Sequence, residues 1–541
     1  MHCYTAKGEI IMKYPIGIQD FESIINGNYT YVDKTALIYR LVTEGKIYFL
    51  SRPRRFGKSL LISTLEAYFR GKKELFKGLA IESLETEWAE HPVFHIDFNG
   101  GNFTKPGVLQ SMIDGYVRSW EAVYGTDPFN QDVESRFAYV LRAAHKQTGR
   151  RAVVLIDEYD KPILDVLDTE LASEYSGKQM LLEDQHREIL KGFYSVFKAT
   201  DADMQFVLLT GVTKFSQVSV FSGFNQPADI SMNRNYEALC GITEEELYSY
   251  FAEPIAELAE DNHCSVDEMK LLLKKQYDGY HFGKRMTDIY NPFSLLNAFS
   301  MCSIDDYWFR SATPSYLIRL LNHTQENLNE LTGKYYDTSE FIDYKADIEN
   351  PLPMIYQSGY LTIKGYNMDM NTYLLDFPNN EVKKGFVTMV ANDYLKIKNT
   401  AGSWTRDLVD ALKTADLEKF RKLLTSFLAE IPYSMRRKET EREKERYFHY
   451  TFYLLMRMVS CYTVYTEKQQ SEGRVDCIVE TSGYIYIFEF KLDGTADEAL
   501  LQIEEKGYAR PYEGDTRKLF KVGTVFSSET GTVSDWKIAE R

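Results

Sequence analysis

The sequence predicts an α/β protein in three parts: a parallel-sheet unit, a mainly helical middle region and a second α/β unit at the C-terminal end. Three observations predict it. Over the first 235 residues, short apolar runs alternate with helical stretches, the pattern of strands joined by helical crossovers. From about Tyr236 to Leu331 the apolar spacing turns helical. Near the end, two strand-like runs flank the turn Thr481-Ser-Gly483. The length agrees, since 541 residues make three or four domains at roughly 100–200 residues each. The expected boundaries are 1–235, 236–402 and 403–541, the last at the polar break Lys398-Asn-Thr-Ala-Gly-Ser403.

In chain order, the first part predicts strands at Ile47–Ser51, Val93–Phe98, Ala152–Ile156 and Phe206–Gly211. Helices are expected at Ser59–Phe69, Gly107–Tyr124, Gln131–Thr148 and Gln185–Ala199. In the middle part, Thr243-Glu-Glu-Glu is a helix start, a threonine cap followed by acids in the first turn. Pro292, Pro314, Pro351 and Pro353 cut this part into short helices and turns, and Gly359–Lys364 and Thr372–Leu375 read as strands.

Composition excludes several classes. With 44% hydrophobic and 26% charged residues the chain is neither disordered nor fibrous. No apolar run nears the roughly 20 residues that cross a bilayer, and the N-terminus lacks a signal-peptide core; Met12 is an alternative start. Six scattered cysteines (Cys3, Cys240, Cys264, Cys302, Cys461, Cys477) form no metal-ligand spacing and read as reduced thiols of a cytoplasmic protein. A formal charge of −16 argues against a nucleic-acid coat, but from Thr405 onward 22 Lys/Arg face 24 Asp/Glu, which leaves a local basic groove open there.

The first chemical motif is Tyr48-Phe-Leu-Ser-Arg-Pro-Arg-Arg-Phe-Gly-Lys-Ser59, a strand running into a loop and then a helix. Gly57 lets backbone approach a phosphate, and the N–H groups of Arg55, Phe56, Gly57, Lys58, Ser59 and Leu60 face the anion. Lys58 reaches β/γ-phosphates and the Ser59 hydroxyl suits Mg²⁺. The usual phosphate loop has glycine where this chain has Arg52; a plain helix start with an exposed lysine is the alternative. The second motif, Arg151-Ala-Val-Val-Leu-Ile-Asp-Glu-Tyr-Asp160, delivers Asp157 for Mg²⁺ and Glu158 to polarise water. Its alternative is a strand ending in a solvated acidic loop. Thr210, Thr213 or Lys214 could sense a γ-phosphate, and Arg52, Arg54 and Arg55 could clamp phosphate, act as arginine fingers or balance nearby acids.

Tyr14-Pro-Ile-Gly-Ile-Gln-Asp-Phe21, Tyr31-Val-Asp-Lys-Thr35, the Arg52–Ser59 loop and Leu155-Ile-Asp-Glu-Tyr-Asp160 resemble the AAA-ATPase-like domain of uncharacterised bacterial proteins. Tyr277-Asp-Gly-Tyr-His-Phe282, Tyr290-Asn-Pro-Phe-Ser294 and Thr313-Pro-Ser315 are similar too. The resemblance implies a P-loop sheet, tolerates Arg52 at the glycine position, and makes a homo-oligomer plausible.

In the tail, Gly473–Val479 and Tyr484–Leu492 predict paired strands. Period-2 alternation puts Ile485, Ile487, Glu489 and Lys491 on one face, within reach of Asp476. Asp476 and Glu489 would hold Mg²⁺ and Lys491 would orient water or stabilise charge; a surface ion pair is the alternative. Val475-Asp476 and Glu489-Phe-Lys491 resemble the PD-(D/E)XK nuclease superfamily, with Gln502 and Tyr508 similar to the Gln/Tyr pair of some members and Glu445 as a candidate first-helix acid. His449 and His281 read as packed rather than catalytic.

The expectation is thus an ATP-binding protein, in the ATPase class, whose first domain gates a Mg²⁺-dependent nuclease acting on DNA or RNA. The alternative is an ATP-driven switch that holds nucleic acid or a protein without cutting it.

Overall fold

The computed structural model describes residues 13–215, 227–312, 331–342, 350–395, 401–431, 447–449, 451–452, 455–456, 463–470 and 473–540. The chain divides into two compact units, Met1–Glu326 with Leu331–Val382, and Asn327–Glu330 with Lys383–Arg541.

The first unit is built on five parallel strands: β1 (Ile47–Ser51), β2 (Val93–Asp97), β3 (Ala152–Asp157), β4 (Met204–Gly211) and β5 (Ala228–Asp229), in the order β2-β3-β4-β1-β5. β3 is buried at every residue, as a central parallel strand covered on both faces must be, and this is why it reads as an unbroken apolar run. The order separates β3 from β1 by one strand, β4. Register aligns Ser51 with Gly211 and Asp97 with Asp157, so the strands' carboxyl ends share one edge. That edge is where open parallel sheets bind ligands.

Helices Lys58–Phe69, Val108–Tyr124, Val133–Thr148 and Leu182–Ala199 join these strands, within one to three residues of the expected starts. Beyond the sheet, helices Glu244–Tyr250, Ala252–Asp261, Val266–Tyr277 and Pro292–Met301 close around Phe251, Leu258, Leu273, Tyr277 and Leu295. Thr243 with Glu246 and Ser265 with Glu268 form capping boxes that fix two of these starts. Three antiparallel strands follow, β6 (Lys334–Tyr336), β7 (Thr362–Asn367) and β8 (Thr372–Asp376). The Tyr31–Thr35 motif is structural: Asp33 accepts the Thr35 and Ala80 amides, and Lys34 pairs with Glu246 at 2.6 Å.

The second unit carries a mixed sheet in the order β9 (Thr463–Gln470), β10 (Gly473–Glu480), β11 (Tyr484–Leu492), β12 (Lys518–Phe526) and β13 (Val533–Glu540). β11 and β12 are parallel and the remaining pairs antiparallel. A parallel pair needs a crossover, supplied by helix Ala496–Glu505. That helix packs on the Ile485–Ile487 face with Val475 and Ile503. On the opposite face Tyr486 stacks on Phe520, Phe488 meets Phe420, and Phe490 meets Phe452 and Phe526. Period-2 alternation therefore sorts β11 as expected, but both faces are buried.

Candidate functional site

At the end of β1 the chain turns through Arg55 (φ 66°) and Gly57 (φ 93°) into helix Lys58–Phe69. A left-handed glycine at the cap frees the following N–H groups to face outward at the helix start. Lys58 is 4% exposed, and its ammonium donates to the carbonyls of Arg52 (3.1 Å) and Pro53 (3.2 Å), with Glu158 Oε1 3.6 Å away. An exposed surface lysine is therefore ruled out. Ser59 is half-buried in the first turn. Phe56 is a core ring against Tyr280 and Phe282, Leu60 packs near Phe21, and Arg55 is exposed over Phe293. These residues can offer a nucleotide their backbone more readily than their side chains.

The acids of β3 are not a solvated loop either. Asp157 is 3% exposed and accepts the Thr210 hydroxyl at 2.6 Å, and Glu158 sits at φ 52°. A non-glycine residue in that region stores strain of about 1–3 kcal/mol, a cost found at functional turns. Sequence reasoning assigned no role to Asp160. It is fully buried, and one carboxylate oxygen accepts the Val212 amide (3.0 Å), the Thr213 amide (2.6 Å) and the Thr213 hydroxyl (2.7 Å). Burial, reinforced by the charge of Glu158, pushes its carboxyl up. Of the residues considered for the γ-phosphate, Thr210 therefore touches the acidic strand, Thr213 is held by Asp160, and Lys214 pairs with Asp229 at 3.0 Å.

Arg52 is buried, its guanidinium bound to the carbonyls of Ser51, Ser231 and Tyr236 and lying 4.0 Å over Phe282. Burial removes it from the role of a finger offered to a neighbouring subunit. Arg54 is half-buried, and its carbonyl receives the Trp308 indole N–H at 2.9 Å.

In the second unit, continuing the register that pairs Cys477 with Phe488 sets Asp476 opposite Glu489. Asp476 Oδ2 accepts the Phe490 amide at 2.7 Å. Glu489 is 1% exposed, which excludes a surface ion pair. The Gln502 side chain bridges the cluster, its amide N–H on Glu489 and its carbonyl on Lys491 Nζ at 2.5 Å. Tyr508 donates to the Arg474 carbonyl at 2.9 Å, and burial first of all pushes its hydroxyl up. Asp476, Glu489, Lys491 and Gln502 thus lie together, with Tyr508 beside them. Glu445 lies outside the described residues. His281 is hydrogen-bonded at both ring nitrogens, to the Ile363 carbonyl and Asp288. His449, read as a packed residue, has its ring against Phe490 and Nδ1 3.8 Å from Asp476 Oδ1. It is a neighbour of the cluster that aromatic context alone did not reveal.

Asp476 and Glu489 offer hard oxygen donors. Among the described residues no group of three or more His, Cys, Asp or Glu is gathered to hold a metal. A pair of carboxylates with the rest of the shell left to water and phosphate fits Mg²⁺, which sheds water reluctantly and rarely takes an all-protein cage.

Two family models match: "Predicted AAA-ATPase" over residues 15–221 and "PD-(D/E)XK nuclease superfamily" over 443–536. A relative from Azotobacter chroococcum mcd 1, called an uncharacterized protein in the vnfD 5' region, is 35% identical over 528 residues, covering 96% of this chain and 98% of its own. The chain belongs to this family. It is an AAA-ATPase-like protein with a C-terminal PD-(D/E)XK nuclease superfamily domain. Both motif clusters, Arg52–Asp160 and Asp476–Gln502, fall inside the matched segments of the family. No helix of the described residues is long and apolar enough to cross a membrane.

Proposed function

We propose that this AAA-ATPase-like protein binds and hydrolyses ATP and that nucleotide gates Mg²⁺-dependent cleavage of DNA or RNA by the C-terminal domain. The observation that carries the reading is the gathering of Asp476, Glu489, Lys491 and Gln502 on one sheet face, in a chain that also holds Lys58 beside Glu158.

At the first site, the N–H groups from Arg55 to Leu60 would face the phosphates. Lys58 would exchange two loop carbonyls for β/γ-oxygens. Ser59 and Asp157 would hold the Mg²⁺ that accompanies ATP, with Thr210 fixing the Asp157 carboxylate. Glu158 would orient the attacking water. At the second site, a divalent ion held by Asp476 and Glu489 would supply Lewis acidity at a scissile phosphate. Gln502 keeps the Lys491 ammonium beside Glu489, where it would orient water and offset developing negative charge. The middle region, 236–402, would act as a lid, since Trp308, Phe282 and Phe293 already brace the loop from that side.

A switch that holds nucleic acid without cutting it is the second reading; the Gln502 bridge, which engages both Glu489 and Lys491, is what favours it. Purified protein with Mg²⁺ or Mn²⁺, offered single- and double-stranded DNA and RNA, separates the two. Cleavage that falls by roughly 10²–10³ in Lys491→Ala supports a nuclease. Continued ATP turnover with no cleavage of any substrate supports the switch.

A further inference from the structure

Beside the phosphate loop, a separate cavity of about 40 Å³ opens at the carboxyl ends of β1, β4 and β5. Ser51, Arg52 and Pro53 line it, with Lys214, Asp229 and Tyr280 among the facing residues. Gly57, Lys58, Ser59, Asp157 and Glu158 do not. It is therefore distinct from the face on which a nucleotide's phosphates would sit.

The cavity wall contains a buried cation without a contacting acid. Arg52 is 1% exposed, and its three hydrogen bonds all go to neutral carbonyls. Among the described residues no carboxylate stands within 4 Å of it. Asp229 and Glu237 lie in its electrostatic surroundings, but Asp229 is committed to Lys214 at 3.0 Å, and Glu237 does not line the cavity. A buried charge that lacks a contacting counter-charge is costly, and proteins normally pair it. A further polar atom points the same way: Arg52 Nε is buried with no hydrogen-bond partner. A donor left over on a cation is complementary to an anion with several acceptor oxygens.

Size sets the class of ligand. One water needs about 10–15 Å³ of such space, so the cavity has room for about three waters or one compact oxyanion. Phe282 and Tyr356 wall the cavity, which leaves little room for a nucleoside.

We propose that this cavity is a second anion site that takes a free inorganic oxyanion of the phosphate class. The ion would complete the charge of Arg52 and bridge the β1 end to Lys214 on the β4 exit. Such an ion at the root of the phosphate loop would stiffen the loop and couple its shape to phosphate concentration.

Titration calorimetry of the full chain tests this with sodium phosphate and sodium sulfate, against sodium chloride at matched ionic strength. The chain carries Lys58→Ala, which weakens capture of phosphate by the loop itself. One phosphate per chain is expected, with affinity at least tenfold weaker when Lys214→Met is added. Wild type saturated with a non-hydrolysable ATP analogue should still take one phosphate. Arg52→Gln risks the fold, whereas Lys214→Met removes one ammonium from the cavity lining and is the deciding variant. The proposal is overturned if Lys58→Ala binds no phosphate, if Lys214→Met leaves the affinity unchanged, or if the ATP analogue displaces the ion. Failure of the analogue to bind would sink the nucleotide reading and leave the Lys58→Ala titration to decide this one.

Discussion

Glu381 is 1% exposed and accepts the Ser294 hydroxyl at 2.8 Å and the Trp308 amide at 2.6 Å. Burial pushes its carboxyl from an ordinary 4.5 up to about 7. Between those values the folded chain holds a proton that the unfolded chain releases. The stability it contributes is therefore complete below pH 4.5 and is lost as pH rises through 7. The full swing is roughly 3 kcal/mol at most. Glu381→Gln keeps the shape without the ionisation, so its melting temperature relative to wild type should rise between pH 5 and pH 8; a pH-independent difference would refute this. Other residues were less legible. Lys58, Asp157, Glu489 and Lys491 carried spacing that points to their chemistry, but nothing in the motifs that contain Asp160 and Arg52 marks those two as buried. A charged side chain normally reads as solvent-facing, and only the fold shows that Asp160 ties the β3 turn to the β4 exit, or that Arg52 lies under Phe282.

At the scale of elements, helix Ala496–Glu505 must lie close to the sheet for Gln502 to reach Glu489 and Lys491. Small residues make the approach possible. A Cβ on Gly523 would stand 2.4 Å from the Ala496 carbonyl oxygen and 3.2 Å from the Ala499 Cβ. Gly523→Ala therefore has to push the helix outward, and overpacking of this kind costs about 1–3 kcal/mol. Urea unfolding should register that loss, and cleavage should fall further than stability alone explains because Gln502 moves with the helix. Unchanged stability and cleavage would contradict the close approach. The strands β1, β3 and β11 were readable because apolar runs or alternation mark them. β5, two residues long, and the exposed hairpin Ala172–Tyr175 with Lys178–Leu181 carry too short or too polar a pattern. β12 joins the mixed sheet by pairing with β11, and β13 by pairing with β12; pairing of this kind is a fact that local periodicity does not hold.

For the whole molecule, the proposed gating requires energetic coupling between two sites of one chain: nucleotide at the Lys58–Asp157 site would change the rate at the Asp476–Lys491 site. The family match covers both segments and names neither a substrate nor a trigger. The most direct measurement is the rate of nucleic-acid cleavage as a function of ATP concentration, in wild type and in Lys58→Ala. Gating by nucleotide predicts a saturable dependence on ATP in wild type that disappears in Lys58→Ala. Cleavage by wild type at one rate with and without ATP, matched by the variant, would contradict gating and leave two independent activities on one chain.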